Sequence, residues 1–257
     1  MDYRDWAHNP NFPTDFADLV VDRGATPLLT WEPWNYAAGV NQPTYRLSAI
    51  ANGTHDALVR RWATQIKPWG KPLMLRFAHE MNGSWYPWSE GVNGNAAGQY
   101  MAAHRRVVTL FRSVGVTNVT WVWSPNVAYP GSVPLSRLFP GVGYVDRTGL
   151  DGYNRGTTEA SGWQSFEQVF GPSIAQVRAL SAKPLVLAEI GSAEPISAEQ
   201  GGAKAAWITD FFARLAARPE VRGFLCFNHD KEADWRVQSS DASRIAYAAG
   251  VAASRYV

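Results

Sequence analysis

Four times along this chain a helical stretch runs out in turn chemistry and passes straight into a short apolar run. The turns are Arg23-Gly-Ala-Thr-Pro27, Trp69-Gly-Lys-Pro72, Val114-Gly-Val-Thr-Asn118 and Ser181-Ala-Lys-Pro184. Gly and Pro punctuate helices, and short apolar runs bounded by them read as strands. Seven such runs are present: Tyr3–Trp6, Thr26–Trp31, Leu73–Ala78, Val119–Trp123, Leu150–Tyr153, Leu185–Glu189 and Gly223–Phe227. Between them lie residues at helical spacing. Phe16, Leu19, Val20 and Arg23 fit one helix; Leu58, Arg61, Trp62, Gln65 and Ile66 a second; Tyr100, Ala103, Val107, Leu110, Phe111 and Val114 a third. A fourth runs from Phe166 to Leu180 and should break at Gly171-Pro172. Trp207, Phe211 and Leu215 mark a fifth, Ile245 and Ala249 a sixth.

Helix, short turn, strand, long loop is the order of parallel βα units. The loops that follow the strands are long and rich in Trp, Asn and Gly; those that precede them are short. That asymmetry predicts an α/β (β/α)₈ TIM barrel, whose active site is built from the loops after the strands. Seven runs stand where a closed barrel needs eight strands, so the expectation is a barrel lacking its first strand and helix at the N-terminus. With 257 residues, 46% of them hydrophobic, and no linker or low-complexity segment, residues 1–257 read as one catalytic domain and as a monomer. The net charge of +2, with no basic stripe, argues against nucleic acid. No stretch is long and apolar enough to span a membrane. The single cysteine, Cys226, lies in an apolar run and reads as a buried small hydrophobe.

The chemistry concentrates at two strand ends. Arg76-Phe-Ala-His-Glu80-Met-Asn-Gly-Ser-Trp85-Tyr-Pro-Trp88 carries Glu80 where a strand gives way to a Gly- and Trp-rich loop. Pro184-Leu-Val-Leu-Ala-Glu189-Ile-Gly191 has the same layout. Cleaving a glycosidic bond requires an acid to protonate the leaving oxygen and a carboxylate to stabilise or attack the anomeric carbon. The chain has twelve tryptophans, and the aromatic faces near Glu80 suit pyranose rings. Strand alternation predicts Arg76, Ala78 and Glu80 on one face, with Arg76 beneath the site.

These segments, together with Thr30-Trp-Glu-Pro-Trp34 and Gly149-Leu-Asp-Gly-Tyr-Asn154, resemble glycoside hydrolase family 26 over nearly the whole chain. The His-Glu-Met-Asn-Gly block is the most specific part. The resemblance implies a retaining β-glycanase of a clan whose acid/base follows the fourth strand and whose nucleophile follows the seventh. Glu80 is then the acid/base and Glu189 the nucleophile. By the same resemblance His79 would bind near the substrate, Tyr153 would donate its hydroxyl to Glu189, and Trp85 and Trp31 would wall the subsite around the cleaved bond. Arg76, Trp88, Asn126 and Trp235 complete the substrate-binding set; Trp88 and Trp235, like Trp34 and Trp123, are the weaker stacking candidates. The implied substrates are β-1,4-mannan or mixed-linkage β-1,3-1,4-glucan, attacked in endo fashion. A polymeric substrate implies secretion, although Met1–Trp6 is not a signal peptide.

Glu32 and Asp151 compete for catalytic roles; Glu32 reads as binding or orienting and Asp151 as structural. Asp230 and Asp234 border the cleft or are solvated loop charges. The five histidines are scattered, His79-Glu80 lacks the second histidine of a zinc-protease helix, and no Cys pair exists, so neither metal nor other cofactor is expected. A P-loop and a Gly-x-Ser-x-Gly elbow are likewise missing. The alternative function is a catalytically inactive carbohydrate-binding barrel.

Overall fold

A computed structural model describes residues 1–156, 162–194 and 203–253. The chain forms two compact units, Met1–Thr148 and Gly149–Val257. All seven predicted strands are present: β1 Asp2–Asp5, β2 Leu28–Glu32, β3 Leu73–Phe77, β4 Val119–Trp123, β5 Arg147–Asn154, β6 Leu185–Ser192 and β7 Val221–Cys226. Helices α1 Thr14–Val21, α2 Leu47–Ala51, α3 Asp56–Trp69, α4 Gln99–Val114, α5 Phe166–Leu180 and α6 Ala203–Ala216 fall between them, and α7 Asp241–Ala253 follows β7. Among the described residues no helix is long and apolar enough to cross a membrane.

In the first unit β1, β2, β3 and β4 pair in parallel and in chain order, and the start of β5 joins β4. Parallel pairing puts every strand's C-terminal end on one edge of the sheet. The loops after β1 to β4 therefore emerge together, and the turns before them emerge at the opposite edge. Register decides which side chains share a face. Tyr3 lies opposite Thr30 and Thr30 opposite Arg76. Arg76 Nε and Nη2 both donate to Thr30 Oγ1, at 3.0 and 2.7 Å, and the guanidinium lies 5.8 Å from the Tyr3 ring centre. Alternation sends Trp31 and Phe77 to the other face. There Trp31 stacks on Trp62 of α3 at 4.6 Å, and Trp6, Phe77 and Phe111 close around it. Burying these large rings stabilises the unit by roughly 25 cal/mol per Å² of apolar surface.

His104 belongs to the same core. It lies on the buried face of α4, 6.0 Å from Phe77 between ring centres, with Nε2 3.2 Å from the Tyr144 carbonyl. Burial pushes its pKa down from 6.5 to about 4. The unfolded chain takes up this proton below about pH 6.5, whereas the folded chain takes it up only near the lower value. The stability contributed by the neutral ring is thus complete above about pH 6.5 and is lost as pH falls towards 4. At about 1.4 kcal/mol per pH unit the loss is on the order of 3 kcal/mol. Urea unfolding at about pH 7 and about pH 4.5 should show a lower midpoint in acid, and His104→Gln should flatten that dependence. Equal slopes for both proteins would exclude His104 as a source.

The second unit holds most of β5, then β6 and β7 in parallel, with the β6–β7 register shifting twice along its length. Its helix α5 departs from expectation: it runs unbroken through Gly171-Pro172. A proline ring normally forces the preceding residue out of helical geometry by striking its Cβ, and Gly171 has none. The helix is also anchored at its start by a capping box, Ser165 accepting from the Gln168 N–H while Gln168 accepts from the Ser165 N–H. Phe166 and Phe170 stack on its buried side at 5.1 Å, with Trp207 and Phe211 of α6 alongside.

Candidate active site

The strand carrying Glu80 stops earlier than alternation suggests. β3 ends at Phe77, and both Ala78 (φ 49°) and Glu80 (φ 51°) take the left-handed conformation. Each such residue costs about 1–2 kcal/mol, and strain of this kind gathers at functional sites. The prediction that Arg76, Ala78 and Glu80 share a strand face is therefore corrected. Alternation ends with β3, and Glu80 is aimed by a turn held through Ala78 N–H to Trp31 O (3.1 Å), Glu80 N–H to Ser124 O (2.8 Å) and Gly83 N–H to Glu80 O (3.0 Å).

Glu80 is buried, with 7% of its surface exposed. Its Oε2 accepts from Trp85 Nε1 at 2.8 Å and its Oε1 from Asn126 Nδ2 at 2.9 Å. Asn126 is itself clamped: its N–H donates to Asn82 Oδ1, and Asn82 Nδ2 returns a bond to the Asn126 carbonyl, both at 2.9 Å. This reciprocal pair ties the loop after β3 to the loop after β4. Trp85 folds back over Gly83, where a Cβ would stand only 2.6 Å from the indole. The indole lies stacked with Tyr129, 5.9 Å between centres, and both rings are more than a third exposed. Burial, and then the charge of Glu80, raise the Tyr129 pKa. Asn82 lies inside the His-Glu-Met-Asn-Gly block yet is not among the predicted site residues, and neither is Tyr129. An Asn two residues past a glutamate and a lone loop Tyr carry no periodic signal that would single them out.

His79 is 1% exposed. Its carbonyl accepts from Trp88 Nε1 at 2.6 Å, and its Nε2 lies 3.2 Å from the Tyr86 hydroxyl. Nδ1 lies 3.8 Å from Glu32, a carboxylate that also accepts from Trp34 Nε1. Burial, reinforced by the Arg76 charge, holds the His79 pKa well below 6.5, so the ring is neutral near pH 7. Tyr86 and Trp88 stack at 4.3 Å, with Trp34 edge-on to both. Trp88 is wholly buried and orients His79 rather than offering a face to solvent.

In the second unit the strand-end placement of Glu189 is corrected: β6 continues to Ser192, so Glu189 lies inside the strand, buried to 4% exposure. The Tyr153 hydroxyl, from β5, donates to Glu189 Oε2. Tyr153 is packed in turn against Trp235 (4.8 Å) and edge-on to Phe227 (5.8 Å), and the Arg155 guanidinium lies over both Tyr153 and Trp235. Gly191 admits this cluster, since a Cβ there would come within 3.1 Å of Tyr153 and 3.2 Å of Trp235.

Several proposed sugar platforms are corrected by burial. Trp31 shows no exposed surface because alternation turns it into the helix-side core. Trp123 is equally buried, against Phe139. Trp235, 2% exposed, is a packed support for Tyr153 rather than an open face. Among the predicted aromatic platforms only Trp85 is substantially exposed. Asp234 is engaged by Arg236 at 2.6 and 2.8 Å, with Asp230 3.5 Å from the same guanidinium. Asp151 is buried in β5.

Comparison with known proteins bears on what such a chain is. Against solved structures it superposes on a GH26 beta-mannanase from Bacteroides ovatus (TM-score 0.65, 17% identity, covering 98% of this chain and 78% of that one). It also superposes on an endo-beta-1,4-mannanase from Cellulomonas fimi (TM-score 0.66, 20% identity, covering 95% and 58%). At these identities the likeness is one of fold. In sequence it is 37% identical over 254 residues to Endoglucanase H of Acetivibrio thermocellus, covering 96% of this chain and 27% of that protein. A Mannan endo-1,4-beta-mannosidase of Bacillus subtilis is 32% identical over 113 residues, covering 42% of this chain and 29% of that protein. The chain thus spans between a quarter and a third of the length of these two relatives. The family model Glycosyl hydrolase family 26 matches residues 29–216, which include both buried glutamates and every loop that supports them up to α6. By that match over most of its length, the chain belongs to glycosyl hydrolase family 26.

Proposed function

We propose that this chain is a retaining, endo-acting β-glycanase domain in which Glu80 is the general acid/base and Glu189 the nucleophile. One observation carries the reading. Each glutamate is buried, Glu80 just past β3 and Glu189 within β6, and each accepts from an aromatic side chain, Trp85 for Glu80 and Tyr153 for Glu189. A carboxylate fixed by donors is held in one geometry. In the first half-reaction Glu189 attacks the anomeric carbon while Glu80 delivers its proton to the leaving oxygen. In the second, Glu80 takes a proton from water as that water releases the sugar from Glu189. The seven parallel strands support a (β/α)₈ scaffold lacking its first strand and helix; we further propose that residues 1–257 are one monomeric catalytic domain and that it acts on its polymer outside the cell.

For the substrate we propose a β-glucan, with mixed-linkage β-1,3-1,4-glucan first. The relative named an endoglucanase matches 96% of the chain, whereas those named mannan endo-1,4-beta-mannosidases match between 33% and 57% of it. The test is reducing-end release from mixed-linkage glucan, mannan and β-1,3-xylan, with the anomer of the fresh end followed by NMR. Rapid release of the β-anomer from mixed-linkage glucan is the expected result. Cleavage of mannan alone would move the specificity, an α-anomer would overturn retention, and binding without cleavage would favour an inactive carbohydrate-binding barrel.

Tyr153→Phe tests the support of the nucleophile separately. Hydrogen bonds to charged groups contribute about 1.5–3 kcal/mol, so kcat on glucan should fall roughly 10- to 100-fold with KM little changed. A pure KM effect would instead make Tyr153 a substrate contact.

A further inference from the structure

We infer that Lys204 is a positioning residue for the nucleophile, acting through the loop that carries Trp235; the inference rests on the reading of Glu189 given above. Lys204 is the second residue of α6 and is 1% exposed. Lysines are almost never buried to this extent, and an ammonium in the first turn of a helix also opposes the helix dipole. What offsets both costs is a matched set of acceptors. Nζ donates to the carbonyls of Asp234 (2.9 Å) and Arg236 (2.8 Å) and to Ser239 Oγ (2.8 Å), one for each of its three N–H groups. The two carbonyls flank Trp235.

The ties extend beyond that loop. Ser239 Oγ donates to Glu194 Oε1 at 2.5 Å, and Ser243 Oγ of α7 donates to the same oxygen at 3.1 Å. Glu194 follows β6, the strand that carries Glu189. One buried ammonium therefore joins the start of α6 to the loop after β7, and through Ser239 to the exit of β6. Trp235 is set between its two anchored carbonyls and also by its own N–H to His229 O at 3.0 Å. Its ring then packs on Tyr153, whose hydroxyl meets Glu189. Without Lys204 the carbonyls of Asp234 and Arg236 lose their buried donor, and the indole is held against the Tyr153 ring by fewer ties, the Trp235 N–H bond to His229 O among them.

The experiment is covalent trapping with a dinitrophenyl 2-deoxy-2-fluoro-β-cellobioside. The Glu189 carboxylate forms an ester bond to the anomeric carbon as dinitrophenolate departs, and the adduct is followed by intact mass and located by peptide mapping. The trapping rate at saturating inhibitor reports attack by Glu189, which a fold-only role of Lys204 would leave unchanged below the unfolding midpoint. Lys204→Met, Trp235→Leu and the double variant form a cycle, with Lys204→Arg replacing Lys204→Met if the latter does not fold. The expected result is a loss of about tenfold or more in each single variant, with the double variant no slower than the slower single, as two residues acting through one path require. Trapping of the Lys204 variant at the wild-type rate, or multiplying losses in the double variant, would overturn the inference. A wild-type adduct on a residue other than Glu189 overturns the nucleophile assignment and this inference with it, and peptide mapping separates that outcome from the others.

Discussion

Glu189→Ala is expected to reduce glucan hydrolysis by about 10⁴-fold or more, the order seen when the nucleophile of a covalent mechanism is removed. The fold should survive the change. Glu189 lies in a strand whose neighbours Leu187, Ala188 and Ile190 are themselves buried, and alanine keeps their packing. The cost falls on Tyr153, whose hydroxyl loses its carboxylate acceptor, about 1–3 kcal/mol of stability. Added azide gives the decisive readout. It fits the space vacated by the carboxylate and attacks the anomeric carbon of an activated aryl β-glycoside from the nucleophile's side, so the product is the α-glycosyl azide. Turnover recovering with azide, and recovering as the α product, is what a nucleophile at this position requires. Wild-type hydrolysis by Glu189→Ala would remove Glu189 from the mechanism. Loss without azide rescue, in a protein with wild-type secondary structure, would reduce Glu189 to a structural carboxylate.

The strands were legible as apolar runs, and four of them, β2, β3, β4 and β6, also by the Gly/Pro turn before them. Their inner register was legible only as far as the backbone stayed extended. Thr30 and Arg76 obey alternation and meet across β2 and β3. Two residues after Arg76, the left-handed turn at Ala78 ends that rule, and nothing in an Ala announces a positive φ. Trp31 shows the complementary limit. A tryptophan at the end of a strand can face the loops or the helices, and the parity of β2, fixed by long-range pairing, sent it onto Trp62. The helix α5 was misread because Gly171-Pro172 counts as two breakers in isolation, whereas together the glycine relieves the proline's clash. Glu80, His79, Glu189 and Tyr153 were singled out because they sit in blocks resembling one family. Asn82, Tyr129 and Lys204 were not singled out, because their partners lie far along the chain: Asn82 meets Asn126, Lys204 meets Asp234, Arg236 and Ser239, and Tyr129 stacks on Trp85 of a neighbouring loop.

Glu80→Gln is expected to reduce hydrolysis of glucan by about 10²- to 10⁴-fold, the range that general acid catalysis contributes. The effect should depend on the leaving group. A sugar alcohol needs the proton that Glu80 supplies, whereas dinitrophenolate does not, so formation of the glycosyl-enzyme from a dinitrophenyl β-glycoside should proceed near the wild-type rate. The local geometry also bears on the choice of substitution. Both carboxylate oxygens of Glu80 accept N–H bonds, from Asn126 and from Trp85. An amide offers one oxygen and one NH₂, so one of the two donors must meet another donor. Asn126 is locked by its reciprocal bonds to Asn82, while Trp85 is 39% exposed, so the indole is the partner that yields. Glu80→Gln therefore loosens Trp85, and KM for the polymer should rise as well. Glu80→Ala removes the acceptor for both donors without introducing a competing NH₂. Its loss on glucan should match that of Glu80→Gln if the missing proton sets the rate. A wild-type rate on glucan for either variant would remove Glu80 from proton transfer. Equal losses on glucan and on the dinitrophenyl glycoside in the glycosylation step would instead assign Glu80 and Trp85 to holding the sugar.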